Sequence, residues 1–161
     1  MRTLLLLALL SPLTLHAEPS AHFAPQAFLA GACWKGTFPD GKRTDEHCYE
    51  WVFGRQFMRD RHTVKGGEAP YAGETIYYWD GESRLVNYLY FNVLGGHSRG
   101  TVTPADGVLY FPEENTATAR RSRFTAASGG ATATTLMSSY RRSRCPGGWK
   151  EAWRIRMQRQ K

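Results

Sequence analysis

Turn dipeptides punctuate this chain at short intervals: Asp40-Gly41, Gly66-Gly67, Asp80-Gly81, Gly95-Gly96, Asp106-Gly107, Gly129-Gly130 and Gly147-Gly148. The runs between them are rich in Tyr, Trp, Phe, Val and Thr. That rhythm specifies short antiparallel strands closing into a barrel or sandwich. No segment carries a sustained helical period, so the chain reads as all-β. The expected strands cover residues 32–38, 45–54, 56–65, 73–79, 84–92, 97–104, 107–112, 118–126, 131–141 and 149–158. They make a single antiparallel up-and-down β-barrel of about ten strands. Pro25 to Leu29 is expected to form one helical turn plugging a barrel end.

The first residues stand apart. Arg2 precedes an apolar run from Leu4 to Leu10, and Leu13, Leu15 and Ala17 follow. A positive start, a short apolar stretch and a small residue describe a secretory signal peptide over 1–17. The run is too short for a bilayer, which needs about 20 apolar residues. Residues 18–161 are then one barrel domain, periplasmic or secreted. The formal net charge is +7, of which Arg2 leaves with the leader.

Much of the basic charge lies late, where Arg120, Arg121 and Arg123 crowd one strand and Arg141, Arg142 and Arg144 another. Such a strand attracts anionic polymer or lipid. For an exported protein this means an anionic envelope component rather than nucleic acid. The oligomeric state is not encoded in any pattern seen here.

Pro39-Asp40-Gly41-Lys42 reads as a hairpin with Asp40-Gly41 as its two-residue loop. Counting outward, Thr37 faces Thr44, Lys35 faces Glu46 and Cys33 faces Cys48. Directly opposed residues lie within disulfide range. Cys33–Cys48 is therefore the expected bridge, and Cys145 is left over. In a two-residue hairpin this pair falls at a hydrogen-bonded position, which strains the bridge unless a bulge near Gly31 relieves it.

The last strand alternates. Trp149, Glu151, Trp153, Ile155 and Met157 share one face, while Lys150, Ala152, Arg154, Arg156 and Gln158 share the other. The stretches 75–79 and 85–91 are apolar or aromatic on both faces. Strands of that kind are doubly buried, or line a cavity while covering an outer apolar patch.

Catalytic constellations are sparse. There is no G-x-S-x-G elbow and no H-E-x-x-H. The cysteine spacing does not suit zinc. Neither a metal nor a cofactor is expected. Arg59-Asp60-Arg61-His62 is the densest polar cluster on a strand, with Asp60 and His62 on one face. An Asp orienting a His is a fragment of acid–base machinery, but no nucleophile accompanies it, and a hydrogen-bonded structural network accounts for it as well.

Phe28 to Gly36, with Gly31 and Trp34, resembles the opening strand of lipocalin-like (calycin) barrels, which carries a Gly-x-Trp signature. Here two residues rather than one separate Gly from Trp. The segment also resembles the start of small exported bacterial proteins of this type. The resemblance implies that Trp34 seals the barrel base under an Arg from the last strand, Arg154 or Arg156. It also implies a small hydrophobic or amphipathic ligand in an aromatic-lined interior, with Trp51, Tyr78, Tyr88, Tyr90 and Trp153 as candidate lining. The tight first turn leaves no room for the helical lid of fatty-acid-binding proteins. Some nitrobindin-like barrels hold haem through a late His, and no His follows His97 here. The alternative is a non-catalytic module that holds its anionic partner through Arg120, Arg121 and Arg123.

Overall fold

A computed structural model describes residues 18–105, 108–111, 120–127, 136–145 and 148–160. Between 106 and 154, the side chains described are those of Leu109 and Phe111. The expected signal peptide lies outside the described residues.

The chain enters through a 3₁₀ helix, Ala21–Leu29, longer than the single turn expected. Its buried residues are Phe23, Gln26 and Leu29, spaced three apart. A 3₁₀ helix has three residues per turn, so this spacing gives it one inward stripe. Seven strands follow: β1 (Ala32–Thr37), β2 (Thr44–Val52), β3 (Phe57–Lys65), β4 (Tyr71–Asp80), β5 (Leu85–Asn92), β6 (His97–Ala105) and β7 (Val108–Phe111). Each pairs antiparallel with the next, and together they form a curled half-barrel. Then come β8 (Arg120–Ala127), β9 (Leu136–Cys145) and β10 (Gly148–Arg159). Their backbones continue the antiparallel ladder, and β10 meets β1 at Trp34↔Arg159 and Lys35↔Gln158.

Strand alternation sorts the two faces. On β2 the inward residues are Asp45, His47, Tyr49 and Trp51; on β3 they are Met58, Asp60 and His62. Thr75 and Tyr77 on β4, Val86 on β5 and Val102 on β6 are also buried. Apolar side chains concentrate beneath the helix. Trp34, Phe23, Met58, Ile155 and Met157 are all less than 2% exposed. On β10, Ile155 and Met157 are buried while Arg156 and Gln158 are exposed, as the alternation requires. The register slips between Glu151 and Trp153, which interrupts the uniform alternation expected along this strand.

The first hairpin keeps its expected partners, including Cys33↔Cys48 and Thr37↔Thr44. Its loop differs. The Phe38 amide donates to Arg43 O at 2.8 Å, and the Gly41 amide donates to Phe38 O at 3.0 Å. The loop therefore holds four residues, 39–42, with Gly41 at φ +68°. Asp40 stabilises it by accepting the Lys42 and Arg43 amides, each at 2.9 Å. The longer loop shifts by one which pairs exchange hydrogen bonds. Cys33 and Cys48 thereby fall at a non-hydrogen-bonded position, where strands approach most closely. Their Cα atoms are 4.0 Å apart and the bridge forms with no bulge in the β1–β2 ladder. Cys145 lies on β9 opposite Gly148.

Of the two readings for 85–91, the structure takes the second. Val86 is buried inward, while Leu89 and Phe91 are 37% and 52% exposed on the outer face.

Candidate functional site

The helix closes one end of the curled sheet through rings. Phe23 meets Trp51 edge-on at 5.7 Å, Phe28 meets Trp34 at 6.1 Å, and His22 stacks flat on Trp79 at 3.7 Å. The Trp34 indole N–H donates to the Leu29 carbonyl at 3.2 Å. Trp34 is thus fully buried at the helix end, and the ring against it is Phe28. The expected Arg cover is corrected at Arg156, which lies on the solvent face opposite Ile155 and Met157. The Arg154 side chain lies outside those described.

Between helix and wall is a recess of about 130 Å³. Its apolar lining includes Trp79, Leu85, Val86, Val102 and Leu109, and His22, Pro25 and Gln26 enter from the helix. Gln26 is 3% exposed, and its side-chain nitrogen has no hydrogen-bond partner among the described residues. A buried amide donor without an acceptor costs free energy on the order of 1–3 kcal/mol.

The candidate lining residues divide. Trp51, Tyr88 and Tyr90 lie on the inner face, with Trp51 used in packing against Phe23. Tyr78 does not: it falls between inward Tyr77 and Trp79, opposite Asn87, so alternation sends it to the outer face. The Trp153 side chain lies outside those described, as do those of Arg120, Arg121 and Arg123. Tyr88 lies over Gly100 and Tyr90 over Gly73, so closely that a Cβ at either glycine would collide with the ring. Glycine there lets each aromatic lie against the wall rather than cross the interior.

Away from the helix the inner wall turns polar. His47 Nδ1 lies 2.8 Å from Asp60 Oδ2, and His47 Nε2 lies 3.3 Å from Asp45 Oδ2. His62 Nδ1 is 3.2 Å from Asp45 Oδ1, and His62 Nε2 is 3.1 Å from the Tyr90 hydroxyl. Tyr71 and Tyr90 hydroxyls share a proton-bearing contact at 2.5 Å. The two imidazoles stack at 4.8 Å. Asp60 and His62 do share a face, as expected, but Asp60 does not orient His62. It orients His47 across the ladder, and Asp45 holds His62.

The electrostatics follow from burial and contacts. Burial pushes the Asp45 carboxyl up, but hydrogen bonds and charge from His47 and His62 outweigh it and hold it well below the usual range. Burial pushes His47 down, and the carboxylates of Asp60 and Asp45 more than reverse this, raising it to about 10. His47 is therefore an imidazolium between two carboxylates. Burial, then the nearby Asp60 charge, holds the Tyr49 and Tyr77 phenols well above their ordinary value. Asp60 Oδ1 is buried and accepts no hydrogen bond from the described residues.

Asp45 and His47 did not stand out in the sequence because the strand carrying them lacks a motif. A signal did exist: registering the second hairpin as the first was registered puts His47 opposite His62. Asp45, His47 and His62 together offer three metal-ligating atoms within 4.8 Å of one another, a donor set the sequence reading did not anticipate. Among the described residues, no helix is long and apolar enough to cross a membrane. Compared with known proteins, the chain matches no family model and no curated relative.

Proposed function

We propose that this protein is an exported, ten-stranded lipocalin-like β-barrel that binds one small amphipathic molecule beneath its helical plug. The observation that carries this reading is the recess of about 130 Å³, walled mostly by apolar side chains with Arg84 at its edge and bordered by Gln26, whose buried amide nitrogen is unsatisfied among the described residues. Few convergent polar groups on an apolar concave surface are the usual composition of a ligand site. An apolar cavity near 150 Å³ accommodates a benzene-sized molecule, so the ligand is of about that size, with one hydrogen-bond acceptor directed at Gln26. The ladder order, in which β10 returns to β1, supports barrel closure. The Cys33–Cys48 bridge supports an oxidising compartment.

The test is uptake of small aromatic compounds, followed by calorimetry. Uptake driven by apolar burial should change little with salt. Val102→Trp, which fills the recess, should abolish it. Failure of every apolar probe, together with tight and steeply salt-sensitive binding of a polyanion, would move the function to Arg120, Arg121 and Arg123.

A further inference from the structure

We propose that Asp45, His47 and His62 form a three-ligand site for a first-row divalent cation of zinc-like preference, with a fourth coordination position left open. The inference goes beyond the ligand-binding reading and stands on different side chains from those of the recess.

Geometry is the first support. Asp45 Oδ2 and His47 Nε2 are 3.3 Å apart, and Asp45 Oδ1 and His62 Nδ1 are 3.2 Å apart. Donors bound to one tetrahedral ion at about 2.0–2.1 Å sit about 3.3 Å from each other. Each imidazole nitrogen thus already stands at the required spacing from an oxygen of the Asp45 carboxylate, His47 from Oδ2 and His62 from Oδ1, and both must turn to the same oxygen to complete the three-donor site. All three donor atoms lie within 4.8 Å, so the two imidazole nitrogens need only side-chain rotation to converge.

The outer groups are the second support. Metal-bound histidines characteristically give their other nitrogen to a carboxylate or similar acceptor, which fixes ring and tautomer. His47 does this through Nδ1 to Asp60 at 2.8 Å. His62 meets the Tyr90 hydroxyl through Nε2 at 3.1 Å, and Tyr71 holds that hydroxyl in turn. Each imidazole therefore presents its remaining nitrogen to Asp45.

Charge is the third. Asp45 and Asp60 are 7% and 3% exposed, and Asp60 Oδ1 has no hydrogen-bond partner among the described residues. Two buried carboxylates favour a neighbouring cation. Nitrogen donors from two imidazoles with one carboxylate suit zinc, cobalt, nickel, copper or iron rather than magnesium or calcium.

The experiment uses the purified protein without a polyhistidine tag, stripped with chelator and titrated with Co²⁺. One equivalent should bind with the intense visible bands of four-coordinate cobalt, and Zn²⁺ should displace it. Asp45→Asn, His47→Ala and His62→Ala should each weaken binding at least 100-fold. Asp60→Asn, which removes an orienting group, should weaken it about 10–100-fold. His97→Ala, at an exposed histidine outside the cluster, should change nothing. Where a cluster variant does not fold, the unaltered protein decides: its melting temperature should rise with Zn²⁺ and not with Mg²⁺. Absence of stoichiometric Co²⁺ binding and of any Zn²⁺-dependent rise would overturn the proposal. So would cobalt bands that survive in both His47→Ala and His62→Ala. Uptake of aromatic probes in the metal-free protein reports separately on the recess.

Discussion

His47 and Asp60 join across the β2–β3 ladder at 2.8 Å, although the histidine nearest Asp60 in sequence is His62. Strand register, not sequence proximity, chooses the partner. The consequence is an alternating inner row of carboxylate and imidazole: Asp60, His47, Asp45, His62.

This row sets a pH window for the metal-free protein. The folded value of His47 is raised to about 10 from 6.5. Its contribution is full below about pH 6.5 and is lost as pH climbs through 10. Asp45 is depressed, so its contribution is present above 3.8 and fades as pH falls through its lower folded value. Stability from this pair should therefore be greatest between about pH 4 and 6.5. Chemical denaturation at a series of pH values checks this, and His47→Gln should flatten the alkaline limb. An unchanged alkaline limb would show that His47 is not held as an imidazolium.

The Cys33–Cys48 bridge spans 15 residues of sequence. Closing a loop of that length is worth about 3 kcal/mol. A Cys33→Ser, Cys48→Ser double variant should lose up to about that amount in denaturant titrations. Peptide mapping without reductant should recover the two cysteines joined and Cys145 apart.

Trp34 is fully buried against Phe28, with its indole N–H on Leu29 O. Trp34→Ala should cost about 3–5 kcal/mol. A loss under about 1 kcal/mol would contradict its structural role.

Gly36 probes the seam between β1 and β10. A Cβ there would meet Arg156 O at 2.6 Å and Met157 Sδ at 2.7 Å, as well as Ile155 Cγ2. Gly36→Ala should cost about 1–3 kcal/mol through overpacking. Gly81→Ala, with nothing within 4 Å, should show no loss. Equal tolerance at both positions would argue that β10 does not close onto β1.

Much of the strand layout was legible because turn residues and β-branched or aromatic runs are local signals. The Cys33–Cys48 pairing followed from a single hairpin. The loop length did not, since Pro39-Asp40-Gly41-Lys42 supports both a two-residue loop and a four-residue one; the Asp40 carboxylate on the amides of Lys42 and Arg43 decides between them. The inward face of β4 was also hidden, because Tyr77 and Tyr78 are chemically alike and only register separates them. Asp45 and His47 are individually ordinary residues. They become a site through partners 13 and 17 residues away in sequence, Asp60 and His62. Gln26 was silent for a similar reason: the lack of a partner for its side-chain nitrogen shows only once the helix is placed beside the recess.

The most direct measurement compares benzonitrile with toluene, two molecules of similar size that differ in a hydrogen-bond acceptor. Calorimetric titration should show both entering the recess, with benzonitrile favoured about five- to tenfold, the worth of roughly 1 kcal/mol from one hydrogen bond to Gln26. Gln26→Leu should remove that preference and leave toluene binding intact, while Val102→Trp should exclude both. Failure of either molecule to bind the unaltered protein, or a benzonitrile preference that survives Gln26→Leu, would contradict a ligand site beneath the plug.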